Sequence, residues 1–194
     1  MELGDTEAIP KKPEERFYYN ESQLDFCILD FWIWNQSDLI ENRNRGILAE
    51  FIVQQALEIK SRTRLEWNAY DLITEHGIKI EVKSSAYIQA WKQKKISAIT
   101  FSIEKTKSLL TDNNYSAESK RQADVYIFCL LHHQEQETIN PLKLEQWTFY
   151  IVPTNDLNDK FPNQKSISLR VLENCARKKC QYEQLKEFFE EIIT

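Results

Sequence analysis

Residues 78–84 alternate without a break. Ile78, Ile80 and Val82 take one parity, and Lys79, Glu81 and Lys83 the other. A period of two sends the first set to one face of a strand and the second to the opposite face, so this segment is a strand with one side in a core. Just before it, Glu75-His76-Gly77 has turn composition, and Gly77 is free to take positive φ. Residues 67–74, from Trp67 to Thr74, read as a partner strand. The chain must therefore build a sheet around this hairpin.

Further segments extend the sheet. Residues 125–131 are apolar throughout, which suits a central strand covered on both faces. Residues 147–152 read as another strand, ended by Pro153, and residues 98–103 as a third strand after the hairpin. Residues 22–35 are apolar and aromatic and are expected to form a helix across the core. Residues 46–59 are rich in helix formers, with apolar positions most of the way round, and predict a largely buried helix. In the tail, Tyr182, Leu185, Phe188, Phe189, Ile192 and Ile193 recur at helical spacing. The order is helix, three strands, a connection, two strands and helix. Residues 1–20 are charged, carry Pro10 and Pro13, and read as a loose N-terminal arm. Residues 21–194 read as a single domain of ordinary size.

The scarce residues exclude several chemistries. Gly4, Gly46 and Gly77 are the only glycines and lie far apart. A Walker loop, a dinucleotide fingerprint or a Gly-x-Ser-x-Gly elbow needs them clustered. The four cysteines contain no Cys-x-x-Cys, and the three histidines form no His-Glu-x-x-His, so a zinc site is not expected. The acidic start lacks the basic and apolar regions of a signal peptide. The most apolar run, residues 26–34, is far short of the ~20 residues that span a bilayer. These features predict a soluble, cytoplasmic protein with no membrane association. The net charge is −5, but residues 1–41 carry ten acids against three bases, whereas residues 79–107 carry seven lysines against two acids. That basic middle can face phosphates, or can simply keep edge strands soluble.

The candidates for chemistry are Glu50, Asp71, Glu81 and Lys83. Positions two apart on a strand project together, so Glu81 and Lys83 share a face. Asp71 lies across the tight turn on the antiparallel partner. Converging carboxylates repel unless a cation joins them, and oxygen ligands of this kind suit Mg²⁺ or Mn²⁺. Glu50 falls in a mostly apolar helix, where an unpaired carboxylate is costly. A metal would relieve that cost, as would a salt bridge to Arg45 or Lys83.

An acid on one strand and Glu81-Val82-Lys83 on the next, after a helix bearing Glu50, resembles the PD-(D/E)xK nuclease superfamily. Asn44-Arg45-Gly46-Ile47-Leu48-Ala49-Glu50-Phe51, Tyr70-Asp71 and Gln122-Ala123-Asp124-Val125-Tyr126 are similar to an uncharacterised bacterial branch of it. Tyr70 stands where the motif's name has proline. The resemblance spans roughly residues 22–170. It implies a restriction-endonuclease-like αβββαβ core, an α/β (α+β) fold with a central mixed β-sheet flanked by helices. It also implies a Mg²⁺-dependent endonuclease that leaves 5′-phosphate and 3′-hydroxyl ends, with DNA favoured over RNA. The Val82 carbonyl would join Asp71 and Glu81 as a metal ligand, Glu50 would hold a second metal or a metal-bound water, and Lys83 would orient the attacking water or meet charge on the phosphorus centre.

Acid-x-Lys is a weak signal by itself. It occurs three times, at Glu58-Ile59-Lys60, Glu81-Val82-Lys83 and Glu118-Ser119-Lys120, and only the second lies on an alternating strand one hairpin after an acid. The plain alternative is a solvated strand face. Arg43, Arg45, Ser84, Gln89, Lys92, Lys94 and Lys95 are candidates to contact nucleic acid, with solubility the alternative for each base. Trp91 could stack on a base or pack at a rim. His132-His133 reads as loop sequence after a strand. The rival function is a non-catalytic nucleic-acid-binding or interaction subunit in a restriction, defence or repair complex. A homodimer would suit duplex cleavage, and a protein partner in a larger complex is the other expectation.

Overall fold

The computed structural model describes residues 8–60, 63–64, 68–107 and 116–193. Its centre is a mixed five-stranded sheet of order β3 (Leu72–Ile73), β4 (Lys79–Ala86), β6 (Val125–Leu131), β7 (Trp147–Pro153) and β9 (Lys178–Cys180). β4 and β6 run parallel, and every other neighbouring pair is antiparallel. All seven residues of β6 are buried, as its unbroken apolar run requires.

Helices α2 (Asn42–Ala56) and α5 (Leu185–Ile193) cover one face. Ala49, Ile52 and Val53 meet Ile80, Val82, Ile127 and Phe149 there, and Leu185 and Phe189 close the layer. Tyr126, Phe128, Leu130, Tyr150 and Val152 belong to a second core on the opposite face. That layer is completed by β5 (Thr100–Ser102), α3 (Thr154–Lys160), β8 (Ser166–Ser168) and α4 (Leu169–Cys175). Each fully buried Phe or Leu in these layers contributes about 1.5–3 kcal/mol. The alternation of Ile80 and Val82 with Glu81 and Lys83 thus sorts β4 between an apolar face and the edge of the other layer.

Several expectations change. Residues 22–35 are not one helix. β1 (Arg16–Tyr19) and β2 (Ser22–Cys27) form a hairpin, and only Ile28–Gln36 is helical, as α1. The hairpin turns on Asn20 and Glu21, both at positive φ. The sequence concealed this because glutamate replaces the glycine usual at such a turn. The pairing also takes residues 16–19 of the expected loose arm. Second, α2 starts at Asn42, where the Glu41 carboxylate accepts from the Arg43 and Asn44 amides at 2.8 and 3.1 Å. It buries one face only, since Phe51 is 55% exposed.

Third, the strand expected over residues 67–74 shortens to Leu72–Ile73, and its start at Trp67 lies outside the described residues. Fourth, β5 pairs with β8 and not with the central sheet. Both edges of β4 are already taken, by β3 and β6, so β5 packs over the sheet, with Phe101 edge-on to Phe128 at 5.2 Å. Among the described residues between β5 and β6 there is only an isolated bridge, Thr106 to Lys120, so the crossover helix of the αβββαβ order is not seen there. Gly77 does take positive φ, at +81°.

Candidate active site

β3 is too short to pair along β4 past Ile80. The Asp71 amide donates to the Ile80 carbonyl at 3.0 Å, and the Asp71 carboxylate then accepts the Val82 N–H at 2.7 Å. A side chain therefore completes the sheet edge where the strand stops. Glu81 and Lys83 flank this point on β4. They project together, and the Lys83 ammonium donates to Glu81 at 2.5 Å. Glu50 comes from α2, on the other face. It accepts two bonds from Arg64, from Nε at 2.5 Å and Nη2 at 3.0 Å.

Asp71 thus reaches Val82 from the edge, Glu81 is the neighbour of Val82 on β4, and Glu50 lies within electrostatic reach of both acids. Burial raises the pKa of each above the ordinary carboxylate range. For Glu81 the Asp71 charge adds to burial, while Lys83 opposes the shift. For Glu50 burial is again first, Arg64 opposes it, and the Asp71 charge adds to it. The acids feel one another, and two cations hold them. Hard oxygen donors pressed together in this way fit a divalent cation in kind. Among the described residues, however, no three His, Cys, Asp or Glu side chains already form a metal-holding group. Glu50 finds its cation in Arg64, and not in Arg45 or through a hydrogen bond to Lys83.

A cleft of about 360 Å³ opens between α2 and Thr63, Arg64, Asn68 and residues 70–73. Glu50, Phe51, Arg64, Tyr70, Asp71 and Ile73 line it, and Glu81 and Lys83 lie outside its lining. Behind the site, Tyr126 is the register partner of Glu81. Burial and then the Glu81 charge push its phenol well above its usual value.

The expected nucleic-acid contacts divide into two groups. Arg45 is only 4% exposed. Its guanidinium donates to Asn42 Oδ1 at 2.6 Å, the Ile40 carbonyl at 2.8 Å, Ser84 Oγ at 3.2 Å and Gln89 Oε1 at 3.4 Å. Arg45, Ser84 and Gln89 therefore form one internal brace from α2 to β4 and the loop after it. Arg43, Lys92, Lys94 and Lys95 are exposed, and Trp91 is 56% exposed beside the lysines. His132 and His133 bond Thr148 and Thr138, respectively.

Two residues escaped the sequence reading. Arg64 is one of five bases against two acids in residues 43–64, but no spacing singles it out. Gln93 organises the lysine-bearing loop. It accepts from the Gln89 amide at 2.8 Å and donates to the Tyr87 carbonyl and Ser97 Oγ at 3.1 and 3.0 Å. An amide among lysines gives no periodic signal.

A family model described as bacteriophage T4 endonuclease IV matches residues 25–170. The chain belongs to the bacteriophage T4 endonuclease IV family. The match includes α1, α2 and the β3–β4 hairpin, and so carries Glu50, Asp71, Glu81 and Lys83. Membership of an endonuclease family makes the protein a nuclease, with nucleic acid as its substrate. Comparison with curated proteins gave no match. No helix among the described residues is long and apolar enough to cross a membrane.

Proposed function

We propose that the chain is a metal-dependent DNA endonuclease of the PD-(D/E)xK kind, cutting the phosphodiester backbone to 5′-phosphate and 3′-hydroxyl ends. The observation that carries this reading is the meeting of Asp71, Glu81 and Lys83 around Val82, with Glu50 facing Asp71 across the cleft. Asp71, Glu81 and the Val82 carbonyl would hold Mg²⁺ or Mn²⁺, and Glu50 a second ion or its water. Such an ion supplies Lewis acidity toward a phosphodiester oxygen and a bound water of lowered pKa. The chain's own part is positional. The Val82 amide fixes one Asp71 oxygen and leaves the other available. Lys83, part-exposed, holds positive charge where charge grows on the phosphate. Arg64 opposes the burial-driven rise of the Glu50 pKa and holds both carboxylate oxygens, the place a divalent cation would take.

The ion pairs Glu50–Arg64 and Glu81–Lys83 favour one rival reading, in which the acids serve structure and the protein grips nucleic acid without cutting it. Plasmid, linear duplex and single-stranded DNA, incubated with Mg²⁺ or Mn²⁺ and with an EDTA control, separate the two. Cutting by the wild type that EDTA stops and Lys83→Ala loses is the expected result. Undiminished cutting by Lys83→Ala, or by the wild type in EDTA, would remove the assignment.

A further inference from the structure

Residues 82–103 contain no Asp or Glu, although the chain has 30. The same stretch carries Lys83, Lys92, Lys94 and Lys95. Lys83 meets Glu81, but no carboxylate among the described residues pairs with Lys92, Lys94 or Lys95. Lysines elsewhere do find acids, Lys60 in Glu75, Lys165 in Glu104 and Lys186 in Glu58. The three unpaired lysines are exposed and lie together on the loop of residues 87–97, between β4 and β5.

That loop has a built frame. The Ser97 amide closes it by donating to the Tyr87 carbonyl at 2.9 Å. Gln93 fills its middle. Its Oε1 accepts from the Gln89 amide at 2.8 Å, and its Nε2 donates to Ser97 Oγ at 3.0 Å, the Tyr87 carbonyl at 3.1 Å and, more weakly, the Lys95 carbonyl at 3.4 Å. Gln89 Nε2 ties the loop to the Ala86 carbonyl at 2.7 Å, and the buried Ile88 anchors it in the core. Lysines that serve solubility need no such frame. Lysines that must meet a ligand gain from it, because less freedom is lost on binding.

We propose, resting on the endonuclease reading, that this loop is a second contact for the substrate's backbone: Lys92, Lys94 and Lys95 bind DNA phosphates beyond the one that is cut, and Gln93 is the positioning residue that holds them in place. β4 carries Glu81 and Lys83 and runs directly into the loop. At ~3.3 Å per strand residue, Tyr87 lies about 13 Å past Lys83. A DNA strand rises ~3.4 Å per nucleotide, so a strand seated at Lys83 and following β4 meets the loop about four nucleotides away. An acid-free, positive stretch in a chain of net charge −5 also gives a polyanion one place to settle.

The test is binding of a labelled DNA oligonucleotide, as duplex and as single strand, by fluorescence anisotropy across a range of salt, in EDTA so that nothing is cut. Loss of three phosphate contacts in Lys92→Ala/Lys94→Ala/Lys95→Ala should lower the logarithmic salt slope by about 2.7 on duplex or about 2.1 on a single strand. With that electrostatic contribution taken as zero at ~1 M salt, affinity at ~0.15 M falls about a hundredfold. Lys11→Ala/Lys165→Ala/Lys186→Ala removes the same charge from paired lysines elsewhere and should keep the wild-type slope. Gln93→Ala removes no charge, yet should bind about 2–13-fold more weakly, a change that an amide serving only stability would not cause in the folded protein. No binding by the wild type, an unchanged slope in the loop variant, an equal fall in the control variant, or wild-type affinity in Gln93→Ala overturns the proposal. The two readings fail separately. Metal-dependent cutting with an unchanged slope in the loop variant removes the loop contact and leaves the endonuclease, whereas a lowered slope in a protein that cuts no DNA with metal removes the endonuclease and leaves the loop as a DNA contact.

Discussion

Arg45 separates two physical roles that one side chain can play beside a nucleic-acid site. If it contacts phosphate, its loss weakens binding and leaves the fold alone. The geometry argues for the reverse. The guanidinium is 4% exposed and all of its nitrogens are spent on protein oxygens, three of these contacts at 2.6 to 3.2 Å and a fourth, to Gln89, at 3.4 Å. Bonds from a charged donor contribute about 1.5–3 kcal/mol each, and recovered solvation of the lost charge offsets much of that. Taking about 1 kcal/mol net for each of the three shorter bonds, Arg45→Ala should cost about 3 kcal/mol. In a chain of this size 1 kcal/mol moves the melting point by about 2–4 °C, so the variant should melt about 6–12 °C lower. Arg45→Lys should recover only part, because one ammonium cannot reach four separated acceptors. The assay is a thermal melt of both variants, with DNA binding measured against salt. Each phosphate contact adds about 0.9 to the logarithmic salt slope of duplex binding. A melting point within about 2 °C of wild type together with a salt slope lower by about 1 would refute the brace and restore Arg45 to the phosphate-binding surface.

Two further outcomes follow from the electrostatics. Burial raises the Asp71 pKa above its unfolded value, so the folded state holds that proton more tightly. Stability is then lost as pH rises from the ordinary aspartate range through the raised folded value, and the loss is complete above it. Asp71→Asn keeps an oxygen for the Val82 amide, and in EDTA it should melt above wild type at pH 8 and match it in acid; a lower melting point at pH 8 would contradict the argument. Mg²⁺ or Mn²⁺ at millimolar concentration should raise the wild-type melting point by linkage and leave Glu81→Gln unmoved, and a shift of equal size in both proteins would place the ion elsewhere.

Period was legible in the sequence wherever burial is one-sided or complete. Residues 78–84 and 125–131 became β4 and the buried centre of the sheet because a strand's parity and a strand's total enclosure both leave a mark on composition. The hairpin of residues 16–27 was not legible. Its apolar side chains face water, so no core imposed a period on them, and its turn lacks glycine. Partners brought in from a distance were illegible as well. Nothing in the sequence ties Arg64 to Glu50, or Gln93 to the backbone of its own loop, because neither pairing repeats with any spacing.

The three Acid-x-Lys tripeptides show why position at a sheet edge decides what such residues can do. Glu58 follows the end of α2 at positive φ and bonds Lys186 at 2.6 Å, while Lys60 pairs with Glu75 at 3.0 Å, so two exposed residues part company at once. Glu118 and Lys120 are exposed beside a lone bridge. Glu81 and Lys83 alone are held on one face of a paired strand, because β6 fixes the register of β4 along its whole length. The short β3 matters equally. Had β3 run further, backbone pairing would have used the Val82 amide, and the Asp71 carboxylate would have had no reason to turn inward. Its turning in brings a third half-buried acid within electrostatic reach of two others, an arrangement that folding alone disfavours. The proposed metal-binding role would account for a local arrangement that costs stability beside a cleft.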